Sequence, residues 1–344
     1  MQDFLSLCPL PLIQAPMAGG ATTPELVAAV SQAGGLGSLA AALLPPLAII
    51  EQAELIRRLT DKPFAINLFV LSRPRPAEEE VEAARALLRP FCHELGWDSV
   101  PVPARWCLDF EEQLEAVITA RPAVASFTFD VLHGSQIQRL HDAGILVVGT
   151  ATTLAEAQVW QAMGADAVCL QGTEAGGHRG TFIGSQEAVT LGLHELLAQC
   201  LPHIRIPLIA AGGLMSAQDI AQIRAEGAAL AQLGTAFLCC QESGIPEVYK
   251  ERLLAASSDT TRQTRAISGR LARGLDNRLM RLLDKHADQV PAYPVQNALT
   301  TAIRAEAARH DNPELMSLWA GQGVARCQRL TAAELVQQLM HPSS

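Results

Sequence analysis

The chain has 344 residues, with 26 Lys and Arg against 35 Asp and Glu and a formal net charge of −9. Apolar residues make up 49% and charged residues 18%, enough to bury a large core in one domain or two unequal ones and too few charges for a disordered chain. An acidic balance without a basic stripe excludes nucleic acid and an anionic membrane surface as partners.

The start, Met1-Gln2-Asp3-Phe4, lacks a basic stretch followed by an apolar one, so no secretory signal is expected and the chain reads as cytoplasmic. The most apolar stretch, 36–50, is too short for a membrane span and is broken by Gly37, Pro45 and Pro46. Eight cysteines are scattered without a C-x-x-C pair, which argues against a zinc site or a disulfide framework, and no metal is expected.

In chain order, short apolar runs ending in small or polar residues predict strands near 12–18, 35–40, 64–70, 124–129, 145–150, 167–171, 207–211 and 229–233. Helix starts follow several of them. Thr23 caps with Pro24 at the first helical position, Thr153 and Glu156 have capping-box spacing, and Ser216 with Asp219 is a weaker version. The spacing is that of one strand–helix unit repeated eight times, which predicts an α/β fold, a (β/α)8 TIM barrel. A doubly wound fold competes. Its glycine fingerprint would be Gly35-Leu36-Gly37-Ser38-Leu39-Ala40, but that run follows a helix and opens a strand, the wrong order, so its glycines read as packing residues.

Two stretches exceed one unit: 71–105, rich in Pro and charge, and everything after Cys240. They predict a smaller, mainly helical lid or substrate domain over the loop face. The expected division is 1–70, 106–241 and 315–344 for the barrel, with 71–105 and 242–314 for the lid. The basic segment Arg262 to Arg281 reads as a loop or lid that pairs with the acidic remainder.

In a barrel the strand ends build the site. They collect Gln14-Ala15-Pro16-Met17-Ala18-Gly19-Gly20, Asn67 inside an apolar run, Gln171 through Gly180, Ala210-Ala211-Gly212-Gly213 and Gln232-Leu233-Gly234-Thr235. Glycine turns on two adjacent strands suit a phosphate, with backbone amides and a short helix N-terminus, or they simply permit tight turns. His178, flanked by glycines, is the candidate general base; the alternative is a solvated loop histidine. Glu174 is a second acid/base candidate or a structural acceptor. Cys169 and Cys239-Cys240 read as packing, and the other histidines as surface or capping residues.

These strings together resemble the nitronate monooxygenase family (2-nitropropane dioxygenases) in its bacterial class I form. The resemblance covers most of the chain: Ile13 to Gly19, Asn67, Ser126-Phe127-Thr128-Phe129, Asp166 to Gly180, Ala210 to Gly213, Gln232 to Thr235, Ser268 to Gly274 and Trp319 to Gly323. The Glu174-Ala175-Gly176-Gly177-His178-Arg179-Gly180 string is the most specific of them. The resemblance implies FMN, with the backbone at Ala15, Pro16 and Met17 facing the isoalloxazine. Asn67, Gln171 and Gly176, beside Gly177, would bind it, while Gly212, Gly213, Gln232, Leu233, Gly234 and Thr235 would hold the phosphate. His178 would remove the α-proton of a neutral nitroalkane, a step that a nitronate such as propionate 3-nitronate does not need. O2 would then yield the carbonyl compound and nitrite, without NAD(P)H. The implied partners are a small-molecule nitronate and O2, and a homo-oligomer is compatible with it.

One departure matters. Where many members carry glycine after Ser-Phe-x-Phe, this chain has Asp130, and a carboxylate bordering the pocket would repel an anionic nitronate. Rival functions on the same scaffold are an FMN-dependent NAD(P)H:quinone reductase and an enoyl-acyl-carrier-protein reductase. The latter usually has Q-G-G-M-A where this chain has Gln14-Ala15-Pro16-Met17-Ala18. A non-catalytic flavin-binding module is the third reading, and the intact His178 loop argues against it.

Overall fold

Eight short parallel strands curl into a barrel: β1 (Leu12–Gln14), β2 (Gly37–Ala40), β3 (Phe64–Phe69), β4 (Val124–Thr128), β5 (Leu146–Ala151), β6 (Ala167–Gln171), β8 (Leu208–Ala211) and β9 (Leu230–Leu233). A two-residue strand, β7 (Gly177–His178), lies outside it. The computed structural model describes residues 4–257 and 260–340; Met1, Gln2 and Asp3, read above for a leader, lie outside the described residues. The barrel strands are hydrogen-bonded in the order β1-β9-β8-β6-β5-β4-β3-β2. One bridge between Ile13 and Leu36 joins the two ends, with the Gln14 amide donating to Leu36 O at 3.0 Å and the Leu36 amide to Leu12 O at 2.9 Å.

Side chains alternate along each strand, and the alternation separates the cores. Ala167 and Cys169 point into the barrel with Ile13, Val124, Leu146 and Ile209, and Phe4 and Leu7 join the same cluster. Val168 and Leu170 face outward onto the helices, where Trp160, Leu196 and Ile220 pack. Gly37 is a packing residue: a Cβ there would sit 2.2 Å from Val27 O. The helix starts at Thr23, Thr153 and Ser216 each accept the expected amide. Of these three, only Ser216 with Asp219 completes a capping box; the Glu156 carboxylate reaches Thr152 and the amides of Phe182 and Ile183 instead.

A second apolar cluster packs the segments outside the barrel. It joins Leu88 and Phe91 of the helix Glu78–Glu94 to Leu279 and Met280, to Leu299 and Ile303 of the helix Val295–Arg309, and to Leu315 and Leu318. The basic segment is more ordered than a loop. It forms β10 (Thr261–Thr264) and β11 (Ala272–Leu275), and β11 pairs antiparallel with β7, Ala272 opposite His178. Four of its six arginines pair with acids: Arg262 with Asp276 and Asp284, Arg265 with Glu187, Arg281 with Asp276 and Glu314, and Arg278 with Glu94, while Arg270 and Arg273 donate to carbonyls instead. No helix of the described residues is long and apolar enough to cross a membrane.

Candidate active site

The inward alternation that fills the barrel below leaves a cavity of about 550 Å³ at the C-terminal ends of the strands. Two-residue steps carry Ala65 to Asn67 and Phe69, Val124 to Ser126 and Thr128, and Cys169 to Gln171, each progression ending at the cavity wall. All fourteen sequence-derived positions line it: Ala15, Pro16, Met17, Asn67, Gln171, Gly176, Gly177, His178, Gly212, Gly213, Gln232, Leu233, Gly234 and Thr235.

His178 is no solvated loop histidine. Its ring is surrounded by Tyr293 and Trp319 at 5.4 Å, Phe129 at 5.8 Å and Phe69 at 6.5 Å between centroids. Its Nε2 lies 2.8 Å from Ser268 Oγ. With the Ser268 hydroxyl donating to Arg270 O at 3.1 Å, Nε2–H would donate to Ser268 and Nδ1 would be the acceptor. Burial first, then the charges of Arg270 and Arg304, push the His178 pKa down to about 3. The imidazole is therefore neutral at physiological pH.

The aromatic walls come from segments far apart in the chain, which is why composition concealed them. Phe129 is held at φ +87°, a left-handed backbone that costs a bulky residue on the order of 1–3 kcal/mol. That conformation stacks its ring on Phe69 at 4.2 Å and under the Arg270 guanidinium at 4.0 Å. Arg270 is tied in turn to the carbonyls of Arg179 and Thr181. Asp130, the next residue, is exposed and does not line the cavity, so the repulsion expected from its carboxylate does not arise at the wall.

The glycine turns leave donors unspent. Among the described residues, no protein acceptor takes the amides of Gly213, Gly234 or Thr235. The helix that follows, Thr235–Leu238, has four residues, so these amides matter more than any macrodipole. Gly176 is required by close approach, since a Cβ would lie 2.5 Å from Gly321 N. Gln171 closes the His178 loop, with Nε2 donating to His178 O at 2.9 Å and Oε1 accepting from the Gly180 amide at 2.8 Å. Asn67 donates to Ser126 O and Oγ. Gln232 Nε2 lies 3.3 Å from Cys169 Sγ.

Glu174 takes the structural role: both its oxygens accept from the Leu193 amide. Burial pushes the Cys169 thiol up to about 12, as suits a packed hydrophobe. His141, His194 and His310 pair with Asp166, Glu226 and Glu306 away from the cavity. The sequence reading missed Phe69, Tyr293 and Arg304 as parts of the site, and it quoted the strings that hold Ser268, Arg270 and Trp319 without giving those three residues a role. The inward period of β3 pointed to Phe69; nothing local pointed to Tyr293 or Arg304.

With this geometry in hand, likeness to known proteins is informative. The nitronate monooxygenase family model matches residues 3–342. A Bacillus subtilis (strain 168) protein named probable nitronate monooxygenase is 37% identical over 343 residues, covering 98% of each chain. The solved structure of nitroalkane oxidase from Streptomyces ansochromogenes superposes with a TM-score of 0.91 at 40% identity, covering 98% of this chain and 96% of that one. FabK from Thermotoga maritima superposes with a TM-score of 0.75 at 26% identity, over 97% and 93%. The chain is an oxidoreductase of barrel fold and belongs to the nitronate monooxygenase family.

Proposed function

We propose that this chain binds FMN and oxidises alkyl nitronates with O2 to a carbonyl compound and nitrite, with His178 as the base for neutral nitroalkanes. The observation that carries the reading is His178 itself: neutral, enclosed by four aromatic rings, with Nε2 held 2.8 Å from Ser268 Oγ.

The residues present fit the flavin. Its phosphate needs unspent donors, which Gly213, Gly234 and Thr235 provide. Its ring needs a close backbone approach. The backbone at Ala15, Pro16 and Met17, on the cavity wall, would provide it. Asn67, Gln171, Gly176 and Gly177 would flank the ring, with Gly212, Gln232 and Leu233 beside the phosphate turn. When bound, the flavin supplies the redox chemistry between nitronate and O2.

The protein's own residues manage charge and protons. The charges of Arg270 and Arg304 disfavour an imidazolium at His178. For a neutral nitroalkane, Nδ1 accepts the α-proton while Ser268 holds the ring. The carbanion that forms supplies the negative charge that offsets the two arginines, so His178 gains basicity as the proton moves. A preformed nitronate needs none of this and is the favoured substrate. The aromatic walls exclude water from that exchange. Purified protein containing FMN that consumes O2 with a nitronate in the absence of NADH supports the proposal. Rapid NADH oxidation with a quinone or an enoyl thioester, without nitronate turnover, favours the reductase reading.

A further inference from the structure

The chain carries a net charge of −9, yet Arg304 is the one permanently charged side chain among the described residues lining the cavity. It stands on the inner stripe of the helix Val295–Arg309, where Asn297, Thr301, Arg304, Ala305 and Ala308 all line the cavity. The stripe follows the helical period, and from Asn297 to Arg304 it climbs about 10 Å. This wall forms an outer arm: Thr301 and Ala305 are exposed, and Ser317 faces it.

Arg304 has no carboxylate partner within ion-pair reach among the described residues, unlike Arg262, Arg278 and Arg281. Neutral acceptors hold it in place instead. Nε donates to Thr300 Oγ1 at 3.2 Å, Nη2 to Asn297 O, Asn297 Oδ1 and Thr301 Oγ1, and Nη1 to Ser317 Oγ at 3.2 Å. A guanidinium has five N–H donors, so one Nη1 hydrogen stays unspent. A rigidly held cation that no acid neutralises, on the wall of a substrate cavity, is arranged to receive an anion.

We propose that Arg304 determines substrate specificity by binding a carboxylate carried on the substrate, remote from the reacting carbon, with Thr301 and Ser317 beside it. The proposal rests on the nitronate reading for its substrates, but not for its binding test. Arg304 then selects ω-carboxy nitronates over alkyl nitronates of the same length.

The test compares propionate 3-nitronate with propyl-1-nitronate, which lacks the carboxylate, in the wild type, Arg304→Met and Arg304→Lys. Calorimetric titration of succinate into each protein runs alongside. We expect Arg304→Met to raise KM for the carboxylate substrate by roughly ten- to a hundredfold more than KM for propyl-1-nitronate, and to abolish succinate binding. Arg304→Lys keeps the charge and recovers part of both, which separates loss of charge from loss of folding. Equal KM changes for the two substrates, or unaltered succinate affinity in Arg304→Met, overturn the proposal. If the wild type oxidises neither nitronate, the functional reading falls and the succinate titration alone decides the role of Arg304.

Discussion

His178 Nε2 and Ser268 Oγ meet at 2.8 Å although 90 residues separate them in the chain. The pairing of β7 with β11 brings them together, and the Ser268 hydroxyl, which also reaches Arg270 O, orients the ring. Ser268→Ala should therefore lower kcat on neutral nitroalkanes about tenfold and leave preformed nitronates nearly untouched. His178→Asn should cost neutral nitroalkanes roughly a hundredfold or more. Steady-state oxygen uptake with both substrate forms checks this; equal losses on the two would remove the base from the account.

Neutral His178 has a thermodynamic signature. Its folded-state pKa of about 3 lies below the ordinary 6.5, so between those values the unfolded chain binds a proton that the folded chain refuses. Its contribution to stability is complete above about pH 6.5 and is lost as pH falls toward 3, by at most about 1.4 kcal/mol per pH unit. Denaturant titrations at about pH 7 and about pH 4.5 should show a smaller pH penalty in His178→Gln than in the wild type. An identical penalty would mean that His178 protonates normally.

Two neighbouring glycines should respond differently to alanine. At Gly176 a Cβ would lie 2.5 Å from Gly321 N and 2.6 Å from Ala320 C, backbone atoms that cannot step aside. Gly176→Ala should push the His178 loop off the 320–321 turn and reduce bound flavin, read from the visible-to-280-nm absorbance ratio. Gly177 has φ +73° but open space around it, so Gly177→Ala should cost on the order of 1 kcal/mol and retain flavin. Full flavin content in Gly176→Ala would contradict the packing argument.

Glu156 is completely buried and accepts from Thr152 N at 2.6 Å, Thr152 Oγ1 at 2.8 Å, and the Phe182 and Ile183 amides. Glu156→Gln would turn a new amide donor toward groups that are already donors. We expect a loss of about 2–4 kcal/mol in thermal or denaturant unfolding. A change below about 0.5 kcal/mol would show that the four contacts are dispensable.

What was legible in the sequence was what is local and periodic. All eight barrel strands lie where the apolar runs place them. The first ends early, at Gln14 rather than Ala18, because Pro16 has no amide to continue a ladder. The glycine turns and the His178 loop were legible because each is one contiguous string. The aromatic walls were not: Phe69, Phe129, Tyr293 and Trp319 come from four segments that only the tertiary fold brings together. Glu156 shows the same limit at short range. Its spacing from Thr153 matched a capping box, but burial gave its carboxylate stronger partners.

The central claim is that this neutral histidine and its cationic surroundings serve the oxidation of a nitronate by O2. The most direct test mixes the FMN-loaded protein with propionate 3-nitronate in air-saturated buffer without NADH, and follows oxygen and nitrite together. The account predicts prompt oxygen uptake with matching nitrite release. No uptake, together with fast NADH oxidation when a quinone is added, would contradict it.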